Sequence, residues 1–522
     1  MWRDKHALPG TLYTAAQVRE MDRLTIVEHG VPGFELMCRA GRSLFRQLLK
    51  HDPDAKRVSV FCGGGNNGGD GYIVAGLAKE RGLDVDLIAI TAPESLTGDA
   101  SLAWQWARER QVSPVLWQGI KRQQPADIVV GDVVVDALLG TGLNGPVRDD
   151  YATAIGLINA SNKPVIAVDV PSGLCSDTGK VLGVSIRADV TVTFIGVKQG
   201  LLTGQAPAYV GQLVFDSLNV PDQVYKTIEG SARRVDLAEM ASVIPYRRQT
   251  DHKGRFGRVV LVGGNAGMGG AIILAAEAAL RTGAGLVSVV TRAEHIAPML
   301  ARIPEVMPAP YLDEADLRWR LQHADAVVIG PGLGKDLWSK EVFGVVMDEA
   351  ATRQIPLVCD ADALNILAEN GSTVAVGAAA VPWVLTPHPG EAARLLNMTT
   401  ADIESDRFSA VRKLQQKYGG IAILKGAGSL IRSPVQVALA TVGNPGMASG
   451  GMGDVLSGML GSLCAQGVPL YDAACLAVCW HGESADKIAL RKGFISLSAT
   501  DVIAGLGEVI SPYEMAACER RN

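Results

Sequence analysis

Short apolar runs alternate with longer mixed stretches along the first half of the chain. The runs are rich in valine and isoleucine and end at glycines, which is typical of strands buried on both faces of a parallel sheet. The stretches between the runs have the length of helices that would cover the sheet. The predicted strands are 57–63, 84–90, 127–140, 163–173 and 188–200, with a helix over 70–82.

A second series of this kind follows a polar stretch at 220–255 that has little periodicity. Such a lapse is typical of a domain boundary, so the sequence predicts two α/β domains, 1–235 and 236–522. Ligands of these sheets bind at the carboxyl ends of the strands. The predicted elements of the second domain are strands 258–264, 285–291, 324–332, 355–362, 383–391 and 420–428, and helices 452–466 and 470–490.

The composition of the 522 residues narrows the range of partners. A net charge of −5 and a pI near 6.0 give no attraction for nucleic acid or an anionic membrane. The charged N-terminus is not a signal peptide, and no uncharged apolar run reaches about 18 residues. The eight cysteines form no CxxC pair and are expected to be buried thiols, Cys475 and Cys479 among them. We expect a cytoplasmic homo-oligomer that binds small molecules.

The stretch FCGGGNNGGDGYIVAG, residues 61–76, is a glycine-rich turn between a strand and a helix. Backbone N–H groups at a helix N-terminus suit a phosphate, although a G-x-G-x-x-G pattern alone also describes a tight turn. A loop that only admitted a phosphate would not need Asn66, Asn67 and Asp70. These polar side chains therefore indicate a further ligand.

Two more strand-end loops carry oxygen ligands, DALLGTGLNGP at 136–146 and VDVPSGL at 168–174. Neighbouring Asp136 and Asp169 would require a cation or hydrogen-bond donors. Side-chain oxygens of Asn67, Asp136 and Ser172 would suit a hard cation. Asp169 ends an apolar strand, so its carboxylate is expected to face the crevice. Lys198 is a second candidate for proton transfer, although strand-end lysines are usually solvated.

The segments YTAAQVREMDR, GNNGGDGYIVA, VDALLGTGLNGP, DVPSGL and TFIGVKQG, in this order, resemble the NAD(P)H-hydrate epimerase domain over roughly residues 10–230. The resemblance implies a Rossmann-like three-layer α/β/α sandwich in which Asn67, Asp136 and Ser172 hold K⁺. It implies that Asp169 contacts the reacting ring as the catalytic residue. Substrate binding is implied for Asp169 and for Asn66, Asn67, Gly68, Gly69, Asp70, Gly140, Thr141, Gly142, Leu143, Asn144, Gly145 and Pro146.

The most informative segment of the second half is NPGMASGGMGDVLSGMLGSLCAQG, residues 444–467. Gly450, Gly451 and Gly453 precede Asp454, and an apolar helix follows. Exposed N–H groups at a helix N-terminus can stabilise a phosphoryl group in transfer, and Asp454 can act as general base toward a hydroxyl. The alternative is that Asp454 is an ordinary N-cap residue after a glycine turn. Four glycines in eight residues favour the anion-binding turn over this alternative.

Further loops lie at predicted strand ends of this half. Lys425 in LKGAGSLI is a suitable phosphate contact. GPGLG at 330–334 and TPHPGE at 386–391 are expected at the ligand face, with His388 held between two prolines. GGNAGMGGA at 263–271 resembles a phosphate loop but lacks the lysine of a P-loop. His481 lies in an apolar helix and is expected to be a core residue.

The segments GGNAGMGGA, GPGLG, DADALN, LTPHPGE, LKGAGS and NPGMASGGMGDVLSG resemble the ribokinase-like NAD(P)H-hydrate dehydratase domain, over about 250–510. The resemblance implies that Asp454 is catalytic and that a nucleotide binds with Mg²⁺. It implies contacts to the hydrate by Gly332, Gly334, His388 and Asp454. Nucleotide binding is implied for Lys425, Gly426, Ala427, Gly428, Ser429 and Gly453.

Because the chain carries both resemblances, it is similar to the bifunctional NAD(P)H-hydrate repair enzymes. The first domain would then interconvert R and S hydrates of NADH and NADPH, and the second would dehydrate the S form. Bacterial members generally use ADP and eukaryotic ones ATP; ADP is expected here, although the sequence does not distinguish them. Two alternatives stay open, a small-molecule kinase fused to a nucleotide-binding sensor and a non-catalytic dinucleotide-binding protein. The presence of Asp136, Asp169 and Asp454 argues against a non-catalytic binding protein, because such a protein needs no general base.

Overall fold

The structure is a computed structural model that describes residues 8–121, 128, 131–370 and 381–519. It divides into two units, Met1–Arg233 and Arg234–Asn522. Part of the predicted strand 127–140 lies outside the described residues, as does the side chain of Cys518. Each unit has its own hydrophobic core, so each is described by itself.

The first unit contains strands and helices in alternation. Its strands are β1 Thr11–Tyr13, β2 Arg57–Cys62, β3 Asp84–Ala89, β4 Pro114–Leu116, β5 Val133–Ala137, β6 Val165–Val168, β7 Val190–Phe194, β8 Val197–Lys198, β9 Gln212–Asp216 and β10 Ala232–Val235, which ends just past Arg233. Its helices are Ala15–Val27, Gly33–His51, Asn66–Glu80, Gly98–Glu109, Trp117–Ile120, Asp149–Ala160 and Asp222–Thr227, with 3₁₀ turns at Pro93–Ser95, Gln199–Leu202 and Ala206–Ala208.

Seven of these strands form a parallel sheet in the order β4-β3-β2-β5-β6-β7-β9. Successive side chains of a strand point to opposite faces. Val58 and Val60 accordingly pack in one core with the helix Gly33–His51, whereas Phe61 packs in another with the helix Asp149–Ala160. The predicted three-layer arrangement with a parallel sheet is confirmed.

The strand order of the first unit reverses between β2 and β5. In an open α/β sheet, the crevice at such a switch point is where ligands bind. The loops that follow β2 and β5 both open there. A separate ladder runs beside the sheet, in which β1 pairs with β8 at Tyr13↔Lys198 and with β10 at Leu12↔Ala232.

The second unit repeats the pattern with a mixed sheet. Its strands are β11 Arg258–Val262, β12 Leu286–Thr291, β13 Met307–Pro310, β14 Ala326–Ile329, β15 Leu357–Cys359, β16 Trp383–Leu385, β17 Ile421–Leu424, β18 Ser429–Arg432 and β19 Val437–Ala440. Its helices are Leu237–Met240, Gly269–Arg281, Ile296–Arg302, Glu314–Leu321, Leu337–Arg353, Ala361–Asn370, Pro389–Leu396, Thr400–Ser405, Arg407–Tyr418, Met452–Ala465, Leu470–Lys492 and Ala499–Glu519, with 3₁₀ turns at Ala241–Val243, Lys253–Phe256, Ala293–His295 and Pro445–Met447.

These strands lie in the order β13-β12-β11-β14-β15-β16-β17-β18-β19, and their order reverses between β11 and β14. Pairing is parallel from β13 to β17 and antiparallel at β18 and β19. The antiparallel strands β18 and β19 follow the last predicted strand, 420–428, and were not predicted from the sequence. The loops after β11 and β14 to β17 meet at one edge of the sheet.

Several predicted boundaries differ from the structure. The strands are shorter than predicted, because the polar residues at their ends already belong to loops. The helix predicted to begin at Asp70 begins at Asn66, with Gly65 as its N-cap and a hydrogen bond of 3.1 Å from the Gly69 N–H to the Gly65 carbonyl. Asn66 and Asn67 therefore lie in a helical turn and not in the loop.

Other predictions about the interior are confirmed. Cys475, Cys479 and His481 are buried, and none of the seven cysteines with described side chains forms a disulfide, but Cys175 is only partly buried, contrary to the prediction. Among the residues that the structure describes, no helix is both long and apolar enough to cross a membrane.

We predict that fragments 1–235 and 236–522 each fold alone, because each keeps its own core and because a break after Val235 leaves β10 with its partner β1. Both should be soluble and unfold cooperatively on heating, as followed by circular dichroism. Fragment 1–180, which lacks β7 and β9, is the control and should be insoluble. If 1–235 and 236–522 behave like this control, the boundary is wrong.

Candidate active sites

A cavity of about 590 Å³ lies at the switch point of the first unit. The helix start after β2, the loop after β5 and the residue after β6 contribute to its wall. The wall contains nine of the predicted substrate-binding residues, Asn66, Asn67, Asp70, Gly140, Thr141, Gly142, Leu143, Asn144 and Asp169. The cavity therefore unites the three loops whose convergence the sequence predicts.

The other four predicted contacts are not among the residues that line this cavity. A Cβ on Gly68 would lie 2.2 Å from the carbonyl oxygen of Gly63, and one on Gly69 would lie 2.6 Å from the side chain of Met37. Both glycines thus permit close packing under the helix. Gly145 and Pro146 lead into Val147, whose N–H donates to the Leu182 carbonyl at 2.8 Å.

Asp169 forms an ion pair with Lys198 at the cavity wall. The Lys198 side chain is only 1% exposed, and its Nζ also donates to the Phe194 carbonyl at 2.9 Å. The expectation that this lysine is solvated is wrong. Pairing between β1 and β8 places Lys198 beneath the surface, and its charge is then balanced by Asp169.

Three further carboxylates line the cavity beside Asp169, those of Asp22, Asp70 and Asp99. Burial and the negative charges of Asp169 and Asp22 raise the pKa of Asp70 well above its ordinary value. Burial, together with Asp99, also raises the pKa of Asp22, although Lys198 opposes this. The sequence analysis missed Asp22 and Asp99, because they lie on helices and outside any loop motif.

The predicted potassium ligands belong to one hydrogen-bond network. Asp136 is fully buried; its Oδ2 accepts from the Ser172 N–H at 2.8 Å and its Oδ1 from the Ser172 hydroxyl at 2.6 Å. The Leu139 N–H donates to Ser172 Oγ at 2.8 Å, and the Leu139 carbonyl accepts from Asn67 Nδ2 at 3.2 Å. Asn67, Asp136 and Ser172 are thus brought together around Leu139.

The chemistry of this network fits a monovalent cation. The donors to Asp136 are neutral, and burial raises its pKa to about 6. The described residues include no group of three or more His, Cys, Asp or Glu side chains placed to hold a metal. One carboxylate with neutral oxygens of Ser172, Asn67 and Leu139 provides hard ligands of low total charge.

Asp454 occupies the first turn of the helix Met452–Ala465, after the left-handed N-cap Gly451 with φ of 90°. The first N–H groups of a helix have no partner within it, so they remain available to an anion. Burial and the negative charge of Asp360 raise the pKa of Asp454 to about 7, although Lys425 opposes this. The predicted base and anion-binding turn are therefore adjacent.

Lys425 lies beside Asp454 in a buried cluster of charges. Its Nζ donates to Asp360 Oδ1 at 2.8 Å and lies 3.9 Å from Glu391 Oε2. The Ser457 hydroxyl donates to Asp360 Oδ2 at 2.6 Å, which links this pair to the helix of Asp454. Although burial opposes it, the Lys425 ammonium holds the pKa of Asp360 below its ordinary value.

Sequence analysis singled out neither Asp360 nor Glu391, although both stand in segments on which the resemblance rests, DADALN and LTPHPGE. His388 is the N-cap of the helix Pro389–Leu396; its Nδ1 accepts from the Gly390 N–H at 3.0 Å, and its own N–H donates to Glu391 Oε2 at 2.8 Å. Partial burial and the charge of Lys425 lower the pKa of His388, which favours the neutral imidazole.

The remaining predicted contacts lie in or next to the loops at the same sheet edge, with Ser429 at the start of β18 and Gly453 in the first turn of the helix Met452–Ala465. Gly332 and Gly334 have φ of 58° and 73°; the Gly332 carbonyl accepts from the Asn265 N–H at 2.6 Å, and the Gly334 N–H donates to Asp362 Oδ2 at 2.9 Å. After β17, Gly426 and Gly428 also have positive φ in the segment that the sequence predicts as nucleotide-binding, Lys425, Gly426, Ala427, Gly428 and Ser429. Gly453 faces this segment, because a Cβ there would lie 3.4 Å from Lys425 Nζ.

The second unit has the ribokinase-like fold that the sequence predicts. A crystal structure of a ribokinase-like superfamily protein from Enterococcus faecalis matches it with a TM-score of 0.50 and 31% sequence identity. The match covers 54% of this chain and 96% of that chain.

Two family models match the chain, NAD(P)H-hydrate dehydratase over residues 259–506 and YjeF-related protein N-terminus over residues 33–200. The bifunctional NAD(P)H-hydrate repair enzyme Nnr of Coxiella burnetii is 43% identical over 502 residues, which are 96% of this chain and 99% of that protein. The enzyme of the same name from Escherichia coli is 43% identical over 517 residues, 98% and 96% of the two chains. The chain belongs to the family of bifunctional NAD(P)H-hydrate repair enzymes, as the resemblance predicted.

Proposed function

We propose that the first unit interconverts the R and S hydrates of NADH and NADPH, and that the second unit uses ADP to dehydrate the S hydrate. One observation carries this proposal. Each unit holds its predicted catalytic carboxylate beside an ion-paired lysine at the carboxyl edge of its sheet, Asp169 with the buried Lys198 and Asp454 with Lys425, whose side chain is 20% exposed.

Epimerisation inverts the carbon that bears the hydroxyl, next to the ring nitrogen. Loss of that hydroxyl as water breaks the C–O bond, and the nitrogen lone pair forms a C=N⁺ bond. Water then adds to the other face and returns its proton. The carboxylate of Asp169 stabilises the positive charge of the ring. Asp70, whose pKa burial and neighbouring carboxylates raise well above its ordinary value, would give and recover the proton at oxygen.

The phosphates of the dinucleotide need a part of the cavity away from the carboxylates of Asp99 and Asp169, which would repel them. The helix Asn66–Glu80 begins at the cavity wall, and the backbone N–H groups of its first turn can bind an anion. We therefore assign the ring to Asp169 and the phosphates to the start of this helix.

Potassium would be held by Asn67, Asp136 and Ser172, with the Leu139 carbonyl between them. Bound there, the ion would neutralise Asp136. The side chain of Asn67 connects this site to the first turn of the helix that binds phosphate, so the same residues orient the dinucleotide.

In the second unit, Asp454 accepts the proton of the hydroxyl, whose oxygen attacks the terminal phosphoryl group of the nucleotide. The N–H groups of the glycine turn before Asp454 stabilise the transferred charge. This attack displaces AMP from ADP and forms a phosphate ester of the hydrate. Inorganic phosphate then leaves with the C–O electrons as the nitrogen lone pair forms C=N⁺. Loss of a proton from the adjacent carbon restores the dihydronicotinamide. His388 and the loop of Gly332 and Gly334 contact the hydrate.

The nucleotide would bind to the segment of Lys425 to Ser429 and to Gly453. Asp360 and Glu391, buried beside Lys425, offer carboxylate oxygens that fit Mg²⁺. Mg²⁺ bound with ADP would offset phosphate charge at this edge of the sheet. We also propose a cytoplasmic homo-oligomer, for which sedimentation velocity gives the number of copies.

The proposal is tested with purified protein, each hydrate epimer, and ADP or ATP with Mg²⁺. Recovery of near-ultraviolet NADH absorbance from both epimers supports it. Recovery from the S hydrate alone removes the epimerase role. A phosphorylated hydrate that accumulates without loss of phosphate indicates the kinase alternative instead.

Asp454→Asn is expected to lower dehydration about 10²–10⁴-fold and leave epimerisation unchanged, because asparagine keeps the shape without the base. In the unchanged protein, kcat/KM for dehydration should fall about tenfold per pH unit below 7, because only the ionised form of Asp454 accepts a proton. Asp501→Asn, in the first turn of another helix, is the matched control. Near-normal turnover by Asp454→Asn removes its assigned role.

Asp136→Ala is expected to weaken hydrate binding and to abolish any response of epimerisation to potassium. In the unchanged protein, the potassium needed should rise about tenfold per pH unit below 6, since a proton competes for this carboxylate. The measurement is KM for the hydrate in potassium and in tetramethylammonium salts across pH 5–8. An unchanged protein that gives the same KM in both salts has no potassium site.

Asp169→Asn is expected to stop conversion of pure R hydrate into S hydrate, followed by chromatography, while the S hydrate is still dehydrated. The neutral amide of asparagine stabilises a positively charged ring less than a carboxylate does, and it does not balance the charge of Lys198. Lys198→Met is the companion variant. If Asp169→Asn converts the R hydrate normally and Lys198→Met does not, the catalytic role belongs to Lys198.

A further inference from the structure

A buried hydroxyl completes the ion pair of Asp169 and Lys198. Thr193 lies next to the end of β7 and is fully buried. Its Oγ1 is 3.1 Å from Asp169 Oδ1 and 3.2 Å from Lys198 Nζ. The hydroxyl therefore contacts both members of the pair, although Thr193 is not among the residues that line the cavity.

The inventory of protons fixes the direction of these hydrogen bonds. An ammonium group has three protons, and Lys198 Nζ has three acceptors, Asp169 Oδ1, Thr193 Oγ1 and the Phe194 carbonyl. Because the Thr193 oxygen accepts from the lysine, its own proton is free to be donated to Asp169. The hydroxyl acts at once as acceptor for the cation and as donor to the anion.

The two oxygens of Asp169 have different surroundings. Oδ1 accepts from the Thr193 hydroxyl, from the Phe194 N–H at 3.1 Å and from Lys198. Within the described part of the chain, no hydrogen bond to Oδ2 is formed. Asp169 lines the cavity. Three donors thus anchor one oxygen and leave the other for the substrate.

The backbone on both sides of this contact is strained. Asp169 and Ile195 have φ of 63° and 64°. Left-handed backbone is rare for a β-branched residue and persists only where surrounding contacts hold it. The Tyr225 hydroxyl holds the Ile195 carbonyl at 2.8 Å. The hydrogen bonds to Asp169 Oδ1 provide the corresponding restraint on the other side.

We propose that Thr193 is a positioning residue for epimerisation, whose hydroxyl holds Asp169 with Oδ2 toward the substrate ring and holds Lys198 away from it. The inference rests on the proposed epimerase activity of the first unit. Removal of the hydroxyl leaves Asp169 Oδ1 with one donor fewer and Lys198 with an unpaired proton. The carboxylate is then free to rotate, and less of the enzyme holds the reactive geometry.

The test uses the full chain with Thr193→Val, which keeps the shape and removes the hydroxyl, and Thr193→Ser, which keeps the hydroxyl. Thr191→Val is the matched control. Thr191 lies two residues earlier on the same face of β7 and is also fully buried, but its hydroxyl donates to the Val210 carbonyl at 2.7 Å. Thr193→Ala replaces the valine variant if that variant does not fold.

Thr193→Val should lower kcat for conversion of R to S hydrate about 10- to 100-fold, with KM changed less than about twofold, because positioning and not binding is lost. Thr193→Ser should recover most of this rate, and Thr191→Val should retain it. A KM close to that of the unchanged protein, together with an unchanged thermal unfolding of the first unit, shows that this unit is folded. Dehydration of the S hydrate by the second unit should be unchanged.

Equal rates for Thr193→Val and Thr191→Val overturn the inference, and so does a serine variant as slow as the valine variant. These results count against the inference only if the protein without substitutions converts R hydrate to S hydrate, so they are distinguishable from failure of the proposed function. If the unchanged protein converts neither epimer, the epimerase proposal fails and this inference fails with it.

Discussion

Each unit holds one lysine, buried in the first unit and mostly buried in the second, at the carboxyl edge of its sheet, and the surrounding loops must be placed to balance its charge. Lys198 pairs with Asp169, which follows β6, and Lys425 pairs with Asp360, which follows β15. A buried charge without its partner costs several kcal/mol, so neither loop can move independently of its lysine. The ion pairs thereby fix the distances between loops that come from separate strands.

The lysine–aspartate ion pairs of the two units stand in surroundings that suit ligands of opposite charge. In the first unit, the carboxyl groups of Asp22, Asp70 and Asp99 line the same cavity as the pair, an environment that would suit a ring that becomes positive. In the second unit, the lysine lies beside the N-terminal turn of the helix Met452–Ala465, whose N–H groups favour phosphoryl oxygens. The neighbours of the lysine, and not the lysine itself, determine which charge is stabilised.

The sequence predicts the parts of this arrangement that are local. Apolar runs of strand length predict both sheets, and glycine loops at their ends predict the site of Asp169 and Asp454. Burial of Lys198 was not predictable, because it depends on pairing of β8 with β1, at Tyr13. Asp360 lies 65 residues before Lys425, and no spacing rule connects them. Asp22 and Asp99 lie on helices, where a carboxylate ordinarily faces solvent.

The two units also differ in how the hydroxyl is made to leave. Hydroxide is a poor leaving group, so each site must change the oxygen before the C–O bond breaks. In the proposed epimerase reaction, Asp70, whose pKa burial raises well above its ordinary value, would give the proton that turns hydroxide into water, and the same water could return, so no nucleotide would be needed. In the proposed dehydratase reaction, Asp454, whose pKa burial raises to about 7, would remove a proton instead. A base cannot expel hydroxide, so the oxygen would first have to be phosphorylated, a step for which the glycine turn and Lys425 beside Asp454 are suited.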